Sequence, residues 1–237
     1  MVRKRFRQLV VFSSIAIAAS TACGARTELD APATTSFVDD ASDDSDVGHD
    51  TLSDNDGEYS GPPLKVFVTA GRYAASLGGL PGADAVCAKE AAAANLSGVY
   101  KAWLSDDSQS PSTRFIHSAS PYARLDGVIL ASDWADLTDG TLGAPIRVTA
   151  LGNEIPADSS GCFPPDIGEC PWVCSNTLSS GVEEHFGLQS CKQWFSSDSG
   201  PQGSVGDLTS SAASWSGTND DVLCSVLHCH LYCFEQP

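Results

Sequence analysis

LCSVLHCHLYCFE, residues 223–235, sets Cys224, Cys229 and Cys233 among His228 and His230. That density of sulfur and imidazole suits a zinc ligand set and equally suits a disulfide junction. A zinc site would make the chain end a metal-dependent subdomain, whereas a junction would make it the seam that closes a larger fold. The compartment decides between them, and the opposite end of the chain fixes the compartment.

MVRKRFRQ carries Arg3, Lys4, Arg5 and Arg7, and the apolar run LVVFSSIAIAA follows from Leu9 to Ala19. A basic start, a short apolar stretch and the small residues Ser20-Thr21-Ala22-Cys23 form an export signal over residues 1–22. The apolar run is about half of the roughly 20 residues a spanning helix needs. Ser-Thr-Ala-Cys resembles a bacterial lipobox, whose cysteine becomes the lipidated first residue, although Ser20 replaces the usual Leu. The plainer alternative is cleavage after Ala22 with Cys23 left unmodified. The nine cysteines favour lipidation of Cys23, since an odd count in an exported chain needs explaining and eight remain for bridges. Export also places them where disulfides persist. The closing stretch is therefore expected to be a disulfide junction, with one histidine suited to the core and the other to the surface.

Residues 23–62 lack apolar periodicity, and from Gly24 onward they hold eleven acidic residues against Arg26 alone. Such a composition buries too little apolar surface to offset the entropy of ordering, so a disordered acidic tether is expected. DDASDDSDVGHD has calcium-loop spacing but lacks the Glu twelve places after its first Asp. Residues 63–237 have the size of one domain. The mature chain is near −21 (9 − 30) and the domain near −11 (8 − 19). That balance argues against nucleic acid, heparin-like polyanions and direct adhesion to anionic lipid headgroups.

Within the domain, LKVFVTA (64–70), VYKAWLS (99–105), TRFIH (113–117), DGVILA (126–131), CKQWFSS (191–197) and HLYCFE (230–235) read as strands. ADAVCAKEAAAAN (83–95) reads as a helix, and DWADL (133–137) as a short one capped by Ser132. Residues 150–190 read as loop. The fold class is α+β, not an alternating βαβ series.

GLPGADAVCAKEAAAANLSGVYKAWLSD (79–106), LASDWADLTDG (130–140), SCKQWFSSDSGPQGSVGDL (190–208) and the closing LCSVLHCHLYCFE resemble, in the same order, the motifs of endostatin, the C-terminal domain of collagens XV and XVIII. An uncharacterised family of exported bacterial domains, often on lipoproteins, has the same signature. The resemblance implies a C-type-lectin-like fold with Cys87 bonded to Cys233 and Cys191 to Cys224. Cys162, Cys170, Cys174 and Cys229 exceed the endostatin set. They are expected to make two further bridges, with Cys229 joined to a cysteine of the 162–174 loop and its partner left open.

The family's ligands do not transfer. Lys65 stands where the nearest zinc histidine would align, Asp126 alone matches the zinc carboxylate, and Arg72, Arg114, Arg124 and Arg147 are scattered instead of forming a heparin face. Lectins of this fold hold calcium through an Asn-Asp pair before a framework cysteine. WSGTNDDVLC (215–224) offers Asn219, Asp220 and Asp221 one residue out of place and without a Glu-Pro-Asn loop, so a solvated acidic turn is the competing reading. Trp103, Trp134 and Trp194 read as core, whereas Trp172 and Trp215 are the aromatics expected to meet a ligand. Glu183-Glu184-His185 reads as a surface cluster, and LGGLPGAD (77–84) as a turn into a helix rather than a dinucleotide loop. No hydrolase elbow or His-Glu-x-x-His is present.

The expectation is a non-catalytic binding module for a glycan or protein, lipid-anchored to the bacterial envelope. The outer membrane is expected because Gly24 replaces the aspartate that retains enterobacterial lipoproteins in the inner one. No cofactor is expected unless calcium binds. The alternatives are a calcium-dependent lectin and a structural envelope protein with no small ligand.

Overall fold

The computed structural model describes residues 61–157, 171–184, 190–218 and 221–237. The expectations for the signal segment, Cys23, most of the tether, Cys162, Cys170, His185, Asn219 and Asp220 lie outside the described residues.

The fold is α+β. A five-stranded sheet runs in the order β3-β10-β1-β4-β5, from β1 (Leu64–Val68), β3 (Val99–Ala102), β4 (Tyr122–Arg124), β5 (Ile129–Ala131) and β10 (Tyr232–Gln236). β10 lies antiparallel between β1 and β3, and β4 runs parallel to β1. The first and last strands of the domain are thus neighbours at its centre. Alternation along a strand sends successive side chains to opposite faces. Phe67 and Cys233 face one core cluster, while Val66, Val68, Tyr232 and Phe234 face the other. Burial on both faces explains why KVFV and LYCF read as nearly unbroken apolar runs.

The first face packs against α1 (Gly79–Ala93). The helix starts four residues before the expected Ala83, after Gly78 turns the chain at φ 88°. It ends in a Schellman motif: Asn95, at φ 55°, donates its N–H to Ala92, and Leu96 donates to Ala91 and packs on the core. The second face holds an aromatic cluster. Trp103 is its hub, with ring centroids 5.0 Å from Trp215, 5.2 Å from Phe234, 5.8 Å from Phe115 and 5.9 Å from Trp134. Trp103 and Trp194 are wholly buried, as a core reading requires; Trp134 is half-buried, with His117 stacked on it at 4.0 Å.

β3 ends the sheet, and unsatisfied backbone there would template another strand. Asp84 accepts the Ala102 N–H at 2.9 Å, Arg114 donates to the Ala102 carbonyl at 2.9 Å, and the two side chains form an ion pair with each other. Arg114 comes from α2 (Pro111–Arg114), where TRFIH had suggested a strand. Pro111 starts the turn, and Thr113 Oγ1 accepts the Ser110 N–H at 3.0 Å, so the Ser-Pro-x-Thr start overrides the β-propensity of Phe115 and Ile116. In α3 (Trp134–Leu137) the cap is Asp133, not Ser132: Asp133 accepts from Asp136 N–H at 2.9 Å, and Asp136 in return accepts the Ser132 N–H at 2.6 Å.

Two smaller sheets complete the domain. β2 (Tyr73–Ala74) pairs with β9 (His228–Cys229), and β6 (Trp172–Cys174), β7 (Gln202–Asp207) and β8 (Asp221–Leu223) pair in that order. Three disulfides among the described residues join Cys87 to Cys233, Cys174 to Cys229 and Cys191 to Cys224. They are nested, each pair enclosing the next. No helix among the described residues is long and apolar enough to cross a membrane.

Candidate binding face

β7, QGSVGD, carries two glycines. Those glycines let neighbours approach closely. A Cβ on Gly206 would lie 2.4 Å from the Trp215 carbonyl oxygen, and one on Gly203 would lie 2.9 Å from Cys191 Sγ. One face of β7 therefore seats the Cys191–Cys224 bridge, and the other is covered by residues 213–218. This arrangement corrects the reading of Trp215 as an exposed ligand aromatic. Its segment folds down on β7 and drives the indole to zero exposure against Trp103 and Tyr232. Trp172, the other candidate, opens β6 half-buried on the first core cluster.

CKQWFSS is not a strand either. Cys191, Lys192, Gln193 and Trp194 have φ of 52°, 54°, 59° and 63°, a left-handed turn of four non-glycine residues. Each such residue costs about 1–2 kcal/mol. The cause is a parity conflict. In a strand, positions 191 and 194 point to opposite faces, yet both side chains are wholly buried on the same side. Cys191 must reach Cys224, and the Trp194 indole donates to the Ser105 carbonyl at 2.7 Å. The turn is stitched by Gln193 N–H donating to Ser190 Oγ and Ser196 N–H to the Cys191 carbonyl.

Beneath lies a floor of buried hydroxyls. Trp103 Nε1 donates to Ser216 Oγ at 2.7 Å, Ser216 Oγ donates to the Thr177 carbonyl at 2.6 Å, and Ser105 and Thr177 hydroxyls share a 2.8 Å bond. Asn176, wholly buried at φ 46°, has no hydrogen-bond partner among the described residues for either side-chain amide atom. Its backbone is gripped from two sides, its N–H by the Ser204 carbonyl and its own carbonyl by the Glu184 N–H.

Glu184 is the residue that sequence reasoning passed over as surface. It is half-buried, accepts a hydrogen bond from Ser204 Oγ, and lies where a Cβ on Gly217 would come within 2.8 Å of its Oε2. Ser204 stands opposite Asp221 in the β7–β8 register, so their side chains share a face. The structure thus gathers Glu184, Ser204 and Asp221 beside the segment leading into Asn219 and Asp220. The signal was the Glu-Glu pair itself, illegible without knowing that residues 177–183 double back through the Thr177–Glu183 bridge. Among the described residues no three His, Cys, Asp or Glu form a group able to hold a metal.

Elsewhere the charges are committed to structure. Arg124 pairs with Asp126 at 2.6 Å and holds that carboxyl below its ordinary range, and Arg147 pairs with Glu154. Lys65 accompanies Glu235, whose Oε2 accepts the Lys65 N–H at 2.9 Å. His228 is exposed and His230 buried, with Nδ1 2.8 Å from the Thr69 carbonyl; burial pushes the His230 imidazole below its ordinary pKa. No family model and no curated protein matches the chain.

Proposed function

We propose that the chain is a non-catalytic binding module of the bacterial cell envelope, anchored by lipid on Cys23 and held off the outer membrane by its acidic tether. In this reading the domain is C-type-lectin-like, of the endostatin type, and its loop face recognises a glycan or a protein. The observation that carries the reading is that the exposed Asp221 and the half-buried Glu184 lie at the same face of β7–β8, with the buried Ser204 hydroxyl holding the Glu184 carboxylate in place. Carboxylates and hydroxyls fixed on a sheet are the groups that recognise polyols, directly or through a hard cation. Asn219 and Asp220 precede Asp221 in the sequence, and their oxygens make calcium-dependent lectin activity the second reading.

The test is a glycan array probed with the intact, disulfide-bonded protein, with calcium and again with chelator. Binding lost in chelator and in Asp220→Ala favours the calcium-dependent form. Binding indifferent to chelator but lost in Glu184→Ala favours direct recognition. No binding in either condition removes the glycan and leaves a protein ligand or a purely structural role.

A further inference from the structure

A cavity of about 170 Å³ opens between Ala70, Glu90 and Ala93 of α1, and the turn Thr149-Ala150-Leu151. It is too small for a drug-sized ligand, which needs upward of roughly 300 Å³, and suits one long side chain. Its walls are almost entirely methyl and alkyl groups, and Leu151, one of them, is 65% exposed. The single charge in the lining is Glu90. Its Oε2 accepts the Ala70 N–H at 2.7 Å and its Oε1 accepts the Tyr73 hydroxyl at 2.9 Å. None of the ion pairs among the described residues involves Glu90. Burial and the hydrogen bond to Glu90 push the Tyr73 phenol up to about 12, so the phenol stays a donor to the carboxylate.

We propose that this cavity takes the side chain of a lysine from a partner protein, with the butyl stem along Ala93, Ala150 and Leu151 and the ammonium at Glu90. Apolar walls ending in a carboxylate match a side chain with an apolar stem and a charged head. Lysine fits better than arginine, because Oε2 already accepts the Ala70 N–H and Oε1 accepts both the Tyr73 hydroxyl and, at 3.5 Å, the Gly71 N–H, and a compact ammonium needs no free bidentate edge. The acidic domain draws cations toward it. This inference does not rest on the glycan reading and survives its failure.

The test is NMR titration of the ¹⁵N-labelled, disulfide-bonded protein with Nα-acetyl-lysine amide and, separately, Nα-acetyl-norleucine amide, which keeps the stem and lacks the charge. Saturable shifts are expected at the amides of Ala70, Ala93 and Leu151 with lysine, at least fivefold tighter than with norleucine. Glu90→Gln keeps one amide oxygen to accept the Ala70 N–H, turns its NH2 donor toward the Tyr73 hydroxyl oxygen, and is expected to weaken lysine binding about fivefold, the range of a half-exposed ion pair. Ala93→Leu fills the cavity without touching the Glu90 hydrogen bonds and is expected to abolish the shifts. Equal binding of the two probes, unaltered binding by Ala93→Leu, or no saturable shift in the millimolar range overturns the proposal.

Discussion

Replacing Lys192 or Gln193 by glycine should stabilise this protein, the reverse of what glycine ordinarily does. Both residues are exposed and sit at φ 54° and 59° in the left-handed turn. A side chain there costs about 1–2 kcal/mol that glycine avoids. Glycine in turn loses about 0.5–1 kcal/mol through its freer unfolded chain. The Lys192–Asp198 pair sacrificed in the first variant is 3.0 Å long, but its side chains are 64% and 69% exposed, so it contributes next to nothing. The net gain is about 0.5–1 kcal/mol per site and about 1–2 kcal/mol for the double variant. In a domain of this size that raises Tm by roughly 2–8 °C. Lys89→Gly, on the exposed side of α1, is the internal control and should cost about 1 kcal/mol. Calorimetry with disulfides intact reads all four proteins. If glycine at 192 and 193 lowers Tm as it does at 89, the turn is not left-handed and the parity argument fails.

Loop closure should rank the disulfides: eliminating Cys87–Cys233, which spans 146 residues, should cost about 5 kcal/mol, and eliminating Cys191–Cys224, which spans 33, about 4 kcal/mol, by urea unfolding of paired Cys→Ser variants. Trp103→Ala should cost about 3–5 kcal/mol or prevent folding, whereas Phe195→Ala, at a ring 64% exposed, should change stability far less; the same unfolding assay decides. Burial sets the His230 pKa below its unfolded value near 6.5, so stability present above that pH should fall as the solution is acidified and level off below the folded pKa. His230→Asn should flatten that stretch of the stability–pH curve, and an unchanged slope between pH 7.5 and 5 would assign the acid sensitivity elsewhere.

What the residues disclosed and what they hid follow a physical division. The central strands were legible because both faces are buried and the apolar run is continuous. α1 was legible because nothing in its Ala-rich stretch interrupts it. β7 was not, since its strand character comes from what packs on Gly203 and Gly206, not from its own side chains. The turn at Cys191 misled because helical and extended readings of CKQW differ only in which side Cys191 and Trp194 face, and that depends on Ser105 and Cys224, far away in sequence. The same distance hid Glu184. Trp215 looked like a loop aromatic until its partners, Trp103 and Tyr232, were in place. The Asp221 carboxylate opens β8; its neighbours Glu184 and Ser204 come from segments no local pattern connects to it.

The nesting of the disulfides has a consequence for biogenesis. Cys87, Cys174 and Cys191 find their partners only at Cys233, Cys229 and Cys224, within one ten-residue stretch. A chain emerging N-terminus first must therefore carry these three thiols until residues 224–233 arrive. Oxidation then proceeds most cheaply from the inside outward, because closing the 33-residue loop shortens the path that the next bond must span. A truncation anywhere before residue 224 strands all three thiols at once. The stretch 224–233 thus licenses all three bridges at once, since none of them can close before it has been made.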